Sequence, residues 1–390
     1  MHKLEIKLKQ HTPLIHFQHD QEGATLRVPE VKPKLDKFIK NNLKNLNQSL
    51  YEEYKDLIDL IPDEKKKCNS PYKLSIEHDE NFTDKYVIAS FIPRLKVDEY
   101  RKQGFKVLNK TPYFADNKPV KNGELEESKL GIMMKENKYL TMTFGFDDSE
   151  WKVFLEKVIP VFLVLTNFGT RQSKGFGCFY PNALSQQQFE QNLIKNCPIV
   201  FRSNPQNTLH NVFSEIDTLY KKIKSGVPGR DSELRKFFNR ERPMVEWEKP
   251  AIQEKISELS KQSLRIDSKT NNRQFVRAVL GLPELYEYPR NSDMKVNVKF
   301  LHRNKAEEES PIQRYPSPIL FKVFDRTIYL TINSNISKCQ SNILDKQFQF
   351  EFKNQNRTYN ETITLITPKD FKVEDFINVA MKSQNNWKKM

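Results

Sequence analysis

The sequence predicts an α+β protein made of two ferredoxin-like domains with helical insertions. Three observations lead there. Strand-period and helix-period segments alternate as β-α-β-β-β-α-β over the first ~180 residues, close to a βαββαβ unit with extra pieces. A second group of strand-period segments follows a polar, helix-rich stretch. The length of 390 residues favours two domains, or one with large insertions. The expected division is 1–184 for the first domain and 185–390 for the second.

Leu4, Ile6 and Leu8 alternate with Lys and Glu, the period of a half-buried strand. After a polar loop, Val31, Leu35, Phe38, Ile39, Leu43 and Leu46 recur at helical spacing. Pro29 and Pro33 suit a helix start and not a helix interior. Residues 47–71 read as helical and then as loop. Tyr72–His78 and Tyr86–Pro93 read as strands, 96–130 as an irregular insertion and Tyr139–Phe146 as another strand. Trp151–Leu165, after the start signal Asp148-Ser149-Glu150, reads as an apolar helix that Pro160 should kink. Phe176–Tyr180 is a short strand. From 185 to about 263 the chain reads as mostly helical and polar. Strands are expected at Lys295–Phe300, Ile319–Phe324, Thr327–Ile332, Phe348–Phe352 and Thr362–Ile366, then a helix at Phe371–Met381 and a frayed tail from Gln384. No repeat is visible between the halves.

Hydrophobic residues make up 37%, with 27 Phe and 14 Tyr, enough to pack cores despite long polar loops. Lys plus Arg exceeds Asp plus Glu by 64 − 50 = 14 charges. Such an excess points to a polyanion, nucleic acid or a membrane surface, because each neutralised phosphate releases counterions. No stretch approaches the ~20 apolar residues of a membrane span, and the N-terminus lacks the apolar core of a signal peptide, so a cytoplasmic protein is expected. Cys68, Cys178, Cys197 and Cys339 are widely spaced and form no CxxC pair. They indicate neither zinc nor a disulfide framework, and no cofactor is expected.

The strongest local signal is the segment 167–179, NFGTRQSKGFGCF. The chain has 11 glycines, where ~7% usage would give about 27. Gly169, Gly175 and Gly177 fall together here, with Arg171 and Lys174 between them. Glycines serve where φ is positive or where another backbone must come close. Such a loop can turn N–H groups and cations toward phosphates, or it can be a plain turn between helix and strand. It is not a Walker loop, since the lysine precedes Gly175. It is not a dinucleotide fingerprint either, which needs a strand before the glycines and a helix after them.

The pattern Arg171-x-x-Lys174-Gly175-Phe176-Gly177-x-Phe179 resembles the glycine-rich loop of the RAMP superfamily, the RNA-binding proteins of CRISPR systems. Thr12-Pro13-Leu14, Gly23-Ala24, Leu26-Arg27 and Pro29, leading into a helix with Lys34 and Phe38, resemble the subunit-one family of type III-B (Cmr) complexes. Glu30 and Lys32 stand where that family carries Ser and Arg. Val279–Pro283 and Ser317–Lys322 resemble a second RAMP domain. The resemblance implies RRM-like domains, CRISPR guide RNA and target RNA as ligands, other RAMP subunits as neighbours and a role in antiviral defence. It implies no nuclease centre in this chain. RNA contacts are then expected from Arg27, Lys32, Lys34, Gly169, Arg171, Lys174, Gly175 and Gly177.

A second basic segment, Lys221–Arg242, interleaves cations with Phe237 and Phe238. Cations among aromatics suit single-stranded RNA, so Arg230, Arg235 and Lys236 join the candidates. The phenylalanines are expected to face a core. His11, His16 and His19 could serve a guide-processing endoribonuclease of the same superfamily, yet no acid, base or metal-ligand partner stands at fixed spacing from them. A pure assembly subunit that never touches RNA is the third reading.

Overall fold

The computed structural model describes residues 2–15, 25–62, 70–77, 83–88, 94–108, 130–227, 229–241, 243–261, 266, 268–282, 285–288, 294–301, 315–333, 342–354 and 357–390. Strand β1 (His2–Gln10) buries Leu4 and Leu8 and exposes Lys3, Glu5 and Lys7, following its alternation. After β2 (Leu14–Ile15) comes helix α1 (Val28–Asn41), whose buried stripe is Val31, Leu35, Phe38 and Ile39. The helix starts early enough to enclose Pro33, against expectation. Pro33 lies on the exposed face, where water can take the carbonyl that loses its N–H partner. Short helices α2 (Leu43–Leu46), α3 (Gln48–Glu53) and α4 (Lys55–Asp59) carry Leu43, Leu50, Leu57 and Ile58 into the same core.

Next come β3 (Tyr72–Glu77), β4 (Thr83–Ile88), α5 (Arg94–Lys102), β5 (Lys106–Leu108), β6 (Leu130–Met134) and β7 (Leu140–Phe146). Helix α5 and strand β5 give regular structure to the start of the segment read as irregular. Helix α6 (Glu150–Leu165) buries Trp151, Phe154, Leu155, Val158, Ile159, Phe162, Leu163 and Val164. Strand β8 (Phe179–Pro181) ends this half of the sheet. The order across that sheet is β3-β7-β1-β8, every neighbour antiparallel. Helices α1 and α6 pack together on it, with the rings of Phe38 and Phe162 5.5 Å apart. A smaller sheet, β2-β6-β4-β5, lies alongside.

The second half opens with α7 (Gln186–Asn196), held by a capping box between Ser185 and Gln188. Strand β9 (Val200–Ser203) follows, in a region read as helical. Then come α8 (Leu209–Tyr220) with a π-helical turn (Lys221–Ser225), α9 (Glu233–Phe238), β10 (Glu246–Trp247), α10 (Lys249–Ser260) and β11 (Arg273–Gln274). A 3₁₀ turn (Val276–Leu280) leads to β12 (Leu285–Tyr288), β13 (Met294–Leu301), β14 (Ile319–Phe324), β15 (Thr327–Ile332), β16 (Gln347–Asn354) and β17 (Arg357–Ile366). Helix α11 (Val373–Met381) and strand β18 (Trp387–Lys389) close the chain. The tail read as frayed is therefore a strand. Trp387 is buried, its indole donates to Glu215 at 2.9 Å, and β18 pairs with β9.

Strands β14-β15-β9-β18 form a sheet whose neighbours are all antiparallel. Its order relative to the chain repeats that of the first sheet: second, third, first, fourth strand. The repeat is invisible in sequence because the second copy is interrupted by α9 to β13 and again by β16 and β17. The interrupting strands build a sheet of their own, β12-β13-β16-β17, over a separate core of Ile252, Phe275, Met294, Phe348, Phe350 and Phe352. The main core runs without a break from Leu4 to Trp387 and includes both repeated sheets. Among the described residues no helix is long and apolar enough to cross a membrane.

Candidate nucleic-acid interface

The glycine loop lies between α6 and β8, and each of its glycines has a positive φ: 75° at Gly169, 82° at Gly175 and 68° at Gly177. The loop folds back on the segment between β1 and β2. Gly177 N–H donates to Pro13 O at 3.0 Å, Thr170 N–H to Ile15 O at 2.8 Å and Cys178 N–H to Thr12 Oγ1 at 3.0 Å. A Cβ at Gly169 would lie 2.4 Å from Ile15 O, and one at Gly177 2.0 Å from Phe168 O. Gly169 N–H donates to the carboxylate of Glu30 in α1. Lys174 and Gly175 N–H close turns onto Arg171 O and Gln172 O. The loop N–H groups named here thus have acceptors within the protein. The glycines shape the loop, and the positive charge around it comes from side chains.

Those side chains gather from distant segments. Arg27 stands at the N-terminus of α1. Lys34 Nζ donates to Asn167 O at 3.3 Å and lies 5.0 Å from the centre of the Phe168 ring. Burial lowers its pKa, against the pull of Glu30. Lys32 turns the other way, paired with Asp36 at 3.0 Å over the ring of Tyr72, so the structure separates it from the loop. Arg171 holds a φ of 61° and is partly buried. Lys174 Nζ sits 4.9 Å from the centre of the Tyr220 ring, and Lys224 of the π-helical turn approaches the same ring at 6.0 Å. Desolvation lowers the Lys174 pKa to about 7, helped by Lys224 and Arg171 and opposed by Asp217. Desolvation and Arg277 lower that of Lys224 to about 7 as well, against Glu248.

Beneath the loop, the buried Lys322 of β14 donates to Thr166 O at 2.8 Å, Leu163 O at 3.2 Å and Asn167 Oδ1 at 2.5 Å. Asn167 Nδ2 in turn donates to Phe321 O at 3.0 Å and Gln172 O at 2.6 Å. The loop is thereby tied to both halves of the chain. Neither Lys224 nor Lys322 was legible as part of this region. The hints were separate: Lys224 lies in the basic segment 221–242 and Lys322 in the stretch Ser317–Lys322, and neither stretch shows where its lysine points.

The second basic segment divides in three. Arg230 is exposed on the turn after Gly226. Lys236 is exposed and paired with Glu233 at 2.7 Å. Arg235, expected at an RNA surface, is buried: its guanidinium grips Glu246 at 2.9 and 3.0 Å and Asp231 at 2.6 Å. Its charge neutralises a carboxylate that is 0% exposed, so it is a core residue. Phe237 and Phe238 pack on Phe371 and Phe376, as expected of core rings. Arg242 lies outside the described residues.

His11 is buried against Tyr180 and Phe324, with ring centres 5.0 and 4.7 Å away, and its Nδ1 accepts the N–H of Asp325 at 3.0 Å. Burial lowers its pKa, against the opposing pull of Asp325. His16 and His19 lie outside the described residues. Cys178 is buried and donates to Asn167 Oδ1 at 3.3 Å. Among the described residues no three His, Cys, Asp or Glu side chains come together as a metal site.

Comparison with known proteins adds a family. The family model described as "Cmr1 N-terminal domain" matches residues 1–227, and that described as "Cmr1 C-terminal domain" matches 229–390. No curated protein matches the chain. Among solved structures, the chain is similar to Cmr1 from Pyrococcus furiosus in its apo form. That match has 9% identity and a TM-score of 0.40, over 100% of this chain and 98% of that one.

Proposed function

The chain belongs to the Cmr1 family, and on that premise we propose that it is a non-catalytic RNA-binding subunit of a type III-B CRISPR effector (Cmr) complex. It holds the 3′ region of the guide RNA and the target RNA, with other RAMP subunits as neighbours. The two sheets of like strand order support reading each half as a ferredoxin-like, RRM-like domain. The observation that carries the proposal is the gathering of Lys34 from α1, Arg171 and Lys174 from the glycine loop and Lys224 from the second half. Arg171 and Lys224 both repel the charge of Lys174, and the whole chain carries +14. A phosphate backbone relieves that repulsion, and cations reading phosphates impose no base sequence.

The purified protein binds single-stranded RNA of arbitrary sequence, and the affinity falls steeply with salt. Arg171→Ala with Lys174→Ala weakens binding by about tenfold or more and flattens the log–log salt slope by ~0.7 for each phosphate that is no longer neutralised. Titration of labelled RNA at several salt concentrations measures both. Affinity indifferent to salt, or to the double substitution, would sink the proposal.

A further inference from the structure

A cleft of about 660 Å³, none of whose lining residues belongs to the glycine loop, opens between Gly226, Gly229 and Asp231 on one side and the first turn of α10 on the other. Its walls carry Arg230, Arg235, Lys249 and Lys269, with Asp231 the lone carboxylate among the lining residues. The basic side chains are held at different depths. Arg235 is a fixed, buried donor locked by Glu246. Lys249 lies over the indole of Trp247 at 5.5 Å. Lys269 reaches Asp231 at 3.1 Å, and Arg230 is exposed, with no ion pair among the described residues.

The cleft also faces the N-terminal end of α10, a helix of 12 residues whose first turn supplies Lys249, Pro250 and Gln253 to the wall. Its N-cap, Glu248, makes no side-chain cap, because that carboxylate is engaged by Arg277. The positive end of the helix dipole adds to the side-chain charge. Trp247 cannot offer a bare ring for stacking, since Arg235, Lys249 and Arg277 all lie within 5.5 Å of its centre. The site's chemistry is anion capture. Its volume far exceeds that of a bare phosphate ion and falls in the range of small-ligand pockets.

The geometry points to a binding site for the phosphate of a nucleotide in this cleft, gripped by Arg230, Lys249, Lys269 and the start of α10. The nucleotide is either one unit of a bound RNA strand, in which case the site extends the proposed function, or a free nucleoside phosphate. The shared chemistry is a phosphate ester. The test uses the full-length protein, with AMP and adenosine as probes and single-stranded RNA as competitor, read by equilibrium dialysis. AMP binds better than adenosine by on the order of tenfold or more, and Arg230→Ala with Lys249→Ala removes that preference while the melting temperature holds.

RNA that displaces AMP identifies the occupant as a strand nucleotide, and AMP retained on RNA-saturated protein identifies it as a free nucleotide. Absence of AMP binding, equal binding of adenosine, or a double variant that keeps its AMP affinity overturns the site. That failure leaves the RNA proposal standing if wild-type protein still binds RNA. Conversely, AMP bound by a protein that ignores RNA retains the site and rejects the RNA reading.

Discussion

The ammonium of Lys322 donates to the carbonyl of Thr166 at 2.8 Å, across 156 positions of sequence. One buried cation from the second half thus satisfies carbonyls at the C-terminal end of α6 and the side chain of Asn167. The negative end of a helix dipole is a favourable place for a cation, and it lets a lysine stay in a core that would otherwise reject it. Desolvation still lowers its pKa to about 8. The glycine loop begins at this joint, so its position depends on both halves being folded.

Lys174, Lys224 and Lys322, with pKa values of about 7, 7 and 8, make stability depend on pH in a set direction. Their values lie below the 10.5 of an exposed lysine, so above about pH 7 the unfolded chain binds more protons than the native one. Stability must then rise with pH in that range. Melting temperatures should climb from about pH 7 to 9, and Lys174→Met with Lys224→Met should flatten the climb. The window stops there because Cys197 and the buried Tyr180 have raised pKa values and work in the opposite sense at higher pH. RNA affinity should fall over the same interval, as the two lysines lose charge. A melting point constant or falling across the window would show that these ammonium groups remain hydrated.

Gly177→Ala should destabilise the protein by on the order of 3 kcal/mol. The new Cβ would meet the carbonyl of Phe168 at 2.0 Å while φ stays at 68°. The neighbour is backbone and cannot rotate away. At Gly175 the nearest atom is Ile216 Cδ1 at 3.0 Å, a side chain that can shift, so Gly175→Ala should cost less. Urea unfolding of both variants measures the difference. Equal midpoints for Gly177→Ala and wild type would refute the close approach.

Arg235→Ala should cost about 3–5 kcal/mol, the usual result of leaving a buried charge without its partner. The carboxylate left behind is that of Glu246, which also accepts the N–H groups of Trp247 at 3.1 Å and Lys269 at 3.0 Å. Arg235→Met with Glu246→Gln removes both charges and keeps one of the two accepting oxygens, so it should lose less than Arg235→Ala alone. Thermal melts of the single and double variants decide the matter. A single variant that melts with the wild type would return Arg235 to the solvent-facing cations.

Local chemistry made much of this protein legible from its residues alone. The alternation of Leu4, Ile6 and Leu8, the stripe from Val31 to Ile39 and the apolar run of α6 each declare an element, because backbone periodicity acts over a few residues. The scarcity of glycine marked 169–177 as a special turn, since positive φ is a local demand. The excess of basic residues is equally a property of composition.

What lay beyond the sequence is whatever depends on neighbours far along the chain. Strand β18 reads as a polar tail because two of its three residues are exposed lysines, and only the edge of β9 makes it a strand. Arg235 and Arg230 look alike in sequence, yet one is buried on Glu246 and the other is exposed. Glu30 gives no sign that it will accept the N–H of Gly169, 139 positions away. Burial, charge pairing and desolvation are set by which surfaces the fold brings together, so only the tertiary structure decided which cations face outward and which hold the protein together.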